Sequence, residues 1–231
     1  KWSRISSRRF RLCGMQGFPK NICLALLLFV PWAPSAANGL EDFKFAKVLL
    51  SEGEWAAAMN FFGLAIDDGA LDSGQLAVAH HLRGVSRGKL NKHRLALRDH
   101  KKAVGLDPDY VSAWSSICYQ HTAVTKQLED AMAACNHALR LDPKHAPSYA
   151  LRAEVWHGQG QPDQAEQDFA HSLQLAPTIW GVYFNRGLFY HDTKRPGKAK
   201  QDFIKAHNLA PAWEQRKMAT APIFQGYGIA P

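Results

Sequence analysis

Apolar residues recur in residues 147–175 with the period of a helix, pause, and then recur again. Tyr149, Ala153 and Trp156 stand four and three residues apart, which places them on one helical face. Gly158 and Gly160 interrupt the pattern, and Pro162 and Asp163 open a second segment, where a proline in the first turn costs no helical hydrogen bond. Ala165, Phe169, Ser172 and Leu173 line the face of that segment. Leu175-Ala176-Pro177 closes it, because proline disfavours helical dihedrals in the residue before it. Two amphipathic helices joined by a short turn are predicted.

The hairpin repeats. Pro108, Pro143, Pro177 and Pro211 lie 35, 34 and 34 residues apart, each preceded by Leu-Asp or Leu-Ala. Five residues before each proline stands a small residue (Ala103, Ala138, Ser172, Ala206), and twelve before each stands an alanine (Ala96, Ala131, Ala165, Ala199). A period of about 34 with small residues at fixed offsets is the signature of stacked helical hairpins. The one extra residue of the 35-residue interval falls between Cys118 and Ala131. A less regular unit precedes the ladder: Phe45, Ala46 and Leu49, a turn at Gly53-Glu54-Trp55, then Ala58, Phe62 and Ala65. Residues 67–74 link it to the next. Five units are expected, at residues 39–72, 77–110, 111–145, 146–179 and 180–213. Residues 212–219 are expected to cap the stack, and residues 220–231, with Pro222, Gly226, Gly228 and Pro231, to form an irregular tail.

Charge alters the picture only after the first 37 residues are set apart. The chain of 231 residues carries a formal net charge of +8. Six of the basic residues (Lys1, Arg4, Arg8, Arg9, Arg11, Lys20) fall in residues 1–37, which hold no acidic residue; the rest of the chain has 22 basic against 20 acidic groups. A nucleic-acid binder keeps a basic stripe on its folded face. The short run Lys89, Lys92, His93, Arg94 and Arg98 reads instead as a solvated loop and helix face. The apolar run Ile22–Val30 is too short for the roughly 20 residues that span a bilayer. With Lys20 before it and Ser35-Ala36-Ala37 after it, it reads as a secretory signal peptide cleaved after Ala37, with Met15 as a start. Ser7-Arg8-Arg9-Phe10 partly matches a twin-arginine motif, and an uncleaved anchor is a further alternative. Periplasmic or secreted localisation of bacterial type follows from the leader, with membrane contact only through the leader if it stays uncleaved.

Candidate chemistry is sparse. The chain has no G-x4-G-K-S/T loop, no H-E-x-x-H helix and no C-x-x-C pair. Gly158-x-Gly160 is a turn with no strand before it. Among eleven histidines, His80-His81 is the densest pair, and His157 and His191 occupy equivalent slots of consecutive units. They are read as polar surface or groove residues rather than zinc ligands. No catalytic residue, metal site or cofactor is expected.

These units resemble the tetratricopeptide repeat, whose first helix carries Trp-x2-Leu-Gly-x2-Tyr and whose second carries Ala, Phe, Ala and then Pro. The matching residues are Trp114, Ile117 and Cys118; Tyr149, Ala153 and Trp156; and Tyr183, Gly187 and Tyr190. His80, Arg83, Gly84 and Arg87 match less well. The aromatic slot of the second helix holds His100, Cys135, Phe169 and Phe203. The resemblance implies an all-α solenoid wound as a right-handed superhelix, with a partner protein or peptide held on the face built from the first helices. Carried over slot by slot, that groove comprises His81, Tyr119, Glu154, His157, Phe184, Leu188 and His191, beside Val85, Ser115 and Ala150. The lysine-and-asparagine clamp for a peptide's C-terminal carboxylate is absent at these slots. Cys118 and Cys135 fall on facing helices of one hairpin. They either form a disulfide, which an exported protein permits, or remain two buried thiols. The implied function is a non-enzymatic, exported adaptor or scaffold. The alternative is an accessory subunit of an envelope enzyme or assembly complex that docks through its convex face.

Overall fold

A computed structural model describes residues 38–229; the signal-peptide reading of residues 1–37 lies outside the described residues. Among the described residues the regular elements are helices, with no strand, and no helix is long and apolar enough to cross a membrane. The chain divides into two compact units, the first ending at Pro108 and the second beginning at Asp109.

The first unit holds two hairpins, α1 (Gly39–Ser51) with α2 (Trp55–Asp68) and α3 (Ser73–Lys89) with α4 (His93–Leu106). α2 also packs on α3, so the hairpins stack. The apolar faces read from the sequence meet here: Ala46, Leu49, Ala58, Phe62 and Ala65 are buried together, but the buried aromatic residue of the first helix is Phe43, with the expected Phe45 only half-buried against the cluster. In the linker between hairpins, the Asp72 side chain accepts from the Gln75 N–H at 2.7 Å while Gln75 Oε1 accepts from the Asp72 N–H at 3.2 Å. This reciprocal cap satisfies two N–H groups that a helix start would otherwise strand.

The second unit holds three hairpins: α5 (Val111–Tyr119) with α6 (Leu128–Leu141), α7 (Ala146–Gly158) with α8 (Pro162–Leu175), and α9 (Trp180–Asp192) with α10 (Pro196–Leu209). Two short helices follow, α11 (Ala212–Thr220) and α12 (Pro222–Gly226). The segment expected to be an irregular tail therefore contains α12. What orders it is burial: Phe224 is fully buried, with its ring 5.2 Å from Phe203 and stacked on Phe184 at 6.0 Å.

The proline ladder has a local physical basis. Asp107, Asp142, Ala176 and Ala210, the residues before the four prolines, all leave the helical region and end α4, α6, α8 and α10. Tyr149 and Tyr183 each donate a hydroxyl hydrogen bond to the carbonyl of the proline six residues earlier, at 3.2 and 3.1 Å. The inter-helix turns repeat as strictly. Gly53, Asn91, Lys126, Gly160 and Lys194 all adopt left-handed backbone, with φ from 57° to 79°. The extra residue of the third hairpin sits just before this turn, where residues Gln120–Thr125 are wound as a π-helix. A π-turn absorbs one added residue without breaking the helix.

Two pairs of slots bind the helices of each hairpin. At the first, Arg83–Asp99, Arg152–Asp168 and Arg186–Asp202 form bidentate ion pairs with N–O distances of 2.7–3.0 Å. The first hairpin has Phe45 and Phe61 there, rings edge to face at 4.8 Å. The third has Ile117 and Ala134, both buried. At the second pair, a small residue faces an aromatic one: Gly84 opposite His100, Ala153 opposite Phe169, Gly187 opposite Phe203. A Cβ on Gly187 would lie 2.7 Å from the Phe203 ring, and one on Gly84 would lie 2.6 Å from the His100 ring. In the third hairpin this pair is Cys118 and Cys135, joined as a disulfide with Cα atoms 5.3 Å apart.

Candidate functional site

The first helices of the second unit lie side by side, α5 on α7 and α7 on α9. A depression of about 240 Å³ runs across all three. α5 contributes Ser115, Ser116 and Tyr119; α7 contributes Pro147, Ala150, Leu151 and Glu154; the start of α9 contributes Ile179, Gly181, Val182 and Asn185. Helical periodicity explains the set, since residues three and four apart share a face. Tyr119 is 42% exposed, a large aromatic side chain held open to solvent.

Glu154 is the carboxylate of this depression. Its Oε1 accepts a hydrogen bond of 2.6 Å from Asn185 Nδ2, which ties α7 to α9. Burial pushes its pKa up to about 7, against the pull of the Asn185 bond and the charge of Lys126. Among the described residues no cation lies within ion-pair distance of it. The lining is thus an aromatic ring and aliphatic walls around two serine hydroxyls, an amide and one unpaired carboxyl. Such a surface grips an extended segment through an apolar anchor and a few directed hydrogen bonds.

The residues expected in the groove separate into four groups. Tyr119 and Glu154 line the depression with Ser115 and Ala150. Phe184, Leu188 and His191 do not share it. Phe184 and Leu188 pack in the cluster that includes Phe224, so α12 covers them, while His191 stays exposed with Nδ1 2.8 Å from the Tyr227 hydroxyl. His157 sits against the Phe189 ring at 5.2 Å with Nε2 3.3 Å from Asp192. His81 is in the first unit, buried against the His100 ring at 5.1 Å. Burial lowers His81 to about 4; burial together with His81 lowers His100 to about 3. Both are neutral core groups rather than groove residues. Among the described residues no group of three or more His, Cys, Asp or Glu converges as a metal site would require.

Asn185 lines the depression and is not among the residues expected in the groove. Its slot holds Lys44, Leu82, Ser116 and Leu151 in the other hairpins, a mixture of polar and apolar residues, so no consistent signal marks it. A larger hollow of about 670 Å³ lies along α4 beside Arg94, Leu97, Arg98, Lys101 and Lys102. Its lining residues come from that one helix, which makes it open basic surface, in keeping with the solvated face expected at Arg94 and Arg98.

A tetratricopeptide-repeat family model matches residues 181–212. Over 84 residues the chain is 30% identical to DnaJ homolog subfamily C member 7 of Mus musculus, a match covering 35% of this chain and 17% of that protein. The fold is similar to TTC0263, a thermophilic tetratricopeptide-repeat protein of Thermus thermophilus, with a TM-score of 0.69 at 21% identity over 83% of this chain and 99% of that one. It is also similar to MamA from Desulfovibrio magneticus RS-1 (TM-score 0.58, 16% identity, 75% and 96% covered). A third similar structure is YrrB, described as having an unusual peptide-binding site (TM-score 0.51, 20% identity, 78% and 92% covered).

Proposed function

We propose that this chain, whose hairpins are tetratricopeptide repeats, is a binding adaptor that holds an extended segment of a partner protein in the depression across α5, α7 and α9. The observation that carries the reading is the solvent-open Tyr119 beside a mixed polar and apolar lining contributed by three successive first helices. Exposed tyrosine is a preferred anchor at protein interfaces, because it brings large contact area at small entropic cost. The peptide-binding site named for YrrB supports the same mode of use. Binding at equilibrium needs no covalent step, and the reading assigns no catalysis. Export to an oxidising compartment is part of the proposal and is supported by the Cys118–Cys135 disulfide.

The test is selection of random dodecamer peptides on the full chain, followed by affinity measurement. Tyr119→Ala is expected to weaken the selected peptides at least about tenfold, in line with loss of an interface anchor. Peptides that ignore Tyr119→Ala but are lost on Ile204→Glu would place docking on the second-helix face, where Ile204 of α10 is 41% exposed. That result would replace this reading with the accessory-subunit one.

A further inference from the structure

We infer that the segment held in this depression presents a basic side chain, lysine or arginine, to Glu154. The inference rests on the peptide-holding reading and specifies the chemistry of the ligand. It starts from an imbalance in ion pairing. The buried carboxylates of this fold are matched: Asp99 by Arg83 and Arg87, Asp168 by Arg152, Asp202 by Arg186. Glu166, on the outer turn of α8, meets Arg195 and Lys198. Glu154 has only the neutral amide of Asn185. A half-buried carboxyl without a cation is partly stripped of water and either takes up a proton or stays costly.

The groups facing Glu154 leave its charge unanswered. α9 offers Asn185, α5 offers the Tyr119 phenol and the Ser115 and Ser116 hydroxyls, and the turn after α5 offers Lys126, which acts on Glu154 only at a distance. On α7 itself, Arg152 is committed to Asp168 and His157 faces Asp192. The lining of the depression therefore contains one carboxyl and no basic side chain. Its volume of about 240 Å³ accommodates one long side chain, with Leu151 and Val182 to contact the methylenes and Glu154 to receive the charged head. A partner cation there would make a charge-assisted hydrogen bond while Asn185 holds the carboxylate in place. An acidic anchor would be repelled.

The experiment repeats the dodecamer selection on the wild-type chain and on Glu154→Gln, which preserves size and hydrogen bonding to Asn185. Wild type is expected to yield peptides sharing one lysine or arginine position, and Glu154→Gln to lose preference at that position alone. The best basic peptide, synthesised with lysine and with norleucine at that position, is then titrated from pH 6 to pH 8. Affinity of the lysine form should rise about tenfold as Glu154 ionises around pH 7, and that of the norleucine form should not. His157→Gln should keep the rise. Tyr119-dependent peptides without a shared basic position, or a basic preference unchanged in Glu154→Gln, overturn this inference and leave the peptide-holding reading standing. A library with no Tyr119-dependent binder overturns both.

Discussion

Replacing Asp168 by alanine removes the acceptor of three donors at once. Arg152 Nε and Nη2 reach its two oxygens at 2.7 and 2.9 Å, and Trp156 Nε1 lies 3.1 Å from Oδ2. The Arg152 and Asp168 side chains are 22% and 11% exposed, so the guanidinium left behind has little water to turn to. Removing one partner of a buried pair costs about 3–5 kcal/mol, and the residual exposure of Arg152 puts Asp168→Ala near about 3 kcal/mol. The third hairpin shows what relieves that cost, since Ile117 and Ala134 fill the same two slots and are buried. Arg152→Ile combined with Asp168→Ala discards the stranded charge. It forgoes the Arg152 bond to Asn136 and the stacking on Tyr149 as well. The double variant should sit about 1–2 kcal/mol below wild type, because apolar replacement of a whole buried pair is far cheaper than breaking it. Urea denaturation of the wild type, both single variants and the double variant, followed by circular dichroism, gives the full cycle. Asp168→Ala within about 1 kcal/mol of wild type, or a double variant less stable than Asp168→Ala, would refute the reasoning.

Two further outcomes follow from the two units. Reducing the disulfide, which joins residues 17 apart, should lower the stability of the second unit by about 3 kcal/mol and speed amide exchange in α5 and α6 first; exchange unaffected by reductant would deny the bond a structural role. In the first unit His81 and His100 are held neutral, at about 4 and about 3, against 6.5 when unfolded. The unfolded state therefore binds more protons between those values, so stability is fully present above pH 6.5 and falls as pH drops toward 4. Urea midpoints at pH 7.5 and pH 5 check this. His100→Phe, which supplies the ring found at Phe169 and Phe203, should flatten the dependence.

The repeat architecture was legible because each of its devices is local. Proline acts on the residue before it, glycine or asparagine eases a left-handed turn, and a small residue must face a ring across one hairpin. Gly53 could be placed in its turn from spacing alone, and the resemblance to the repeat family put Gly187 and Phe203 in their slots. Tyr119 and Glu154 came from the repeat family's slots, and both fall in one depression with Ser115 and Ala150. Phe184 and Leu188 occupy such slots too, yet their burial depends on a segment that follows. α12 contains Pro222 and Gly226, poor helix formers, and owes its order to the burial of Phe224, a tertiary effect that no window of sequence reports. His81 failed as a groove residue because its neighbour across the hairpin is another buried ring. Asn185 stayed hidden because its slot mixes Lys44, Leu82, Ser116 and Leu151 and so carries no consistent chemistry. The cysteines could be placed on facing helices, but whether they bond depends on an approach distance that only coordinates supply.

The burial of Phe224 also decides where this protein can be cut. Trimming the chain after Pro211, where the last proline beat falls, would leave Phe184 and Phe203 wet on one side and strip Tyr227 from His191. A shortened product of that kind would display a fresh aromatic patch and tend to self-associate. A truncation therefore leaves this aromatic plug seated only when it keeps residues 222–229.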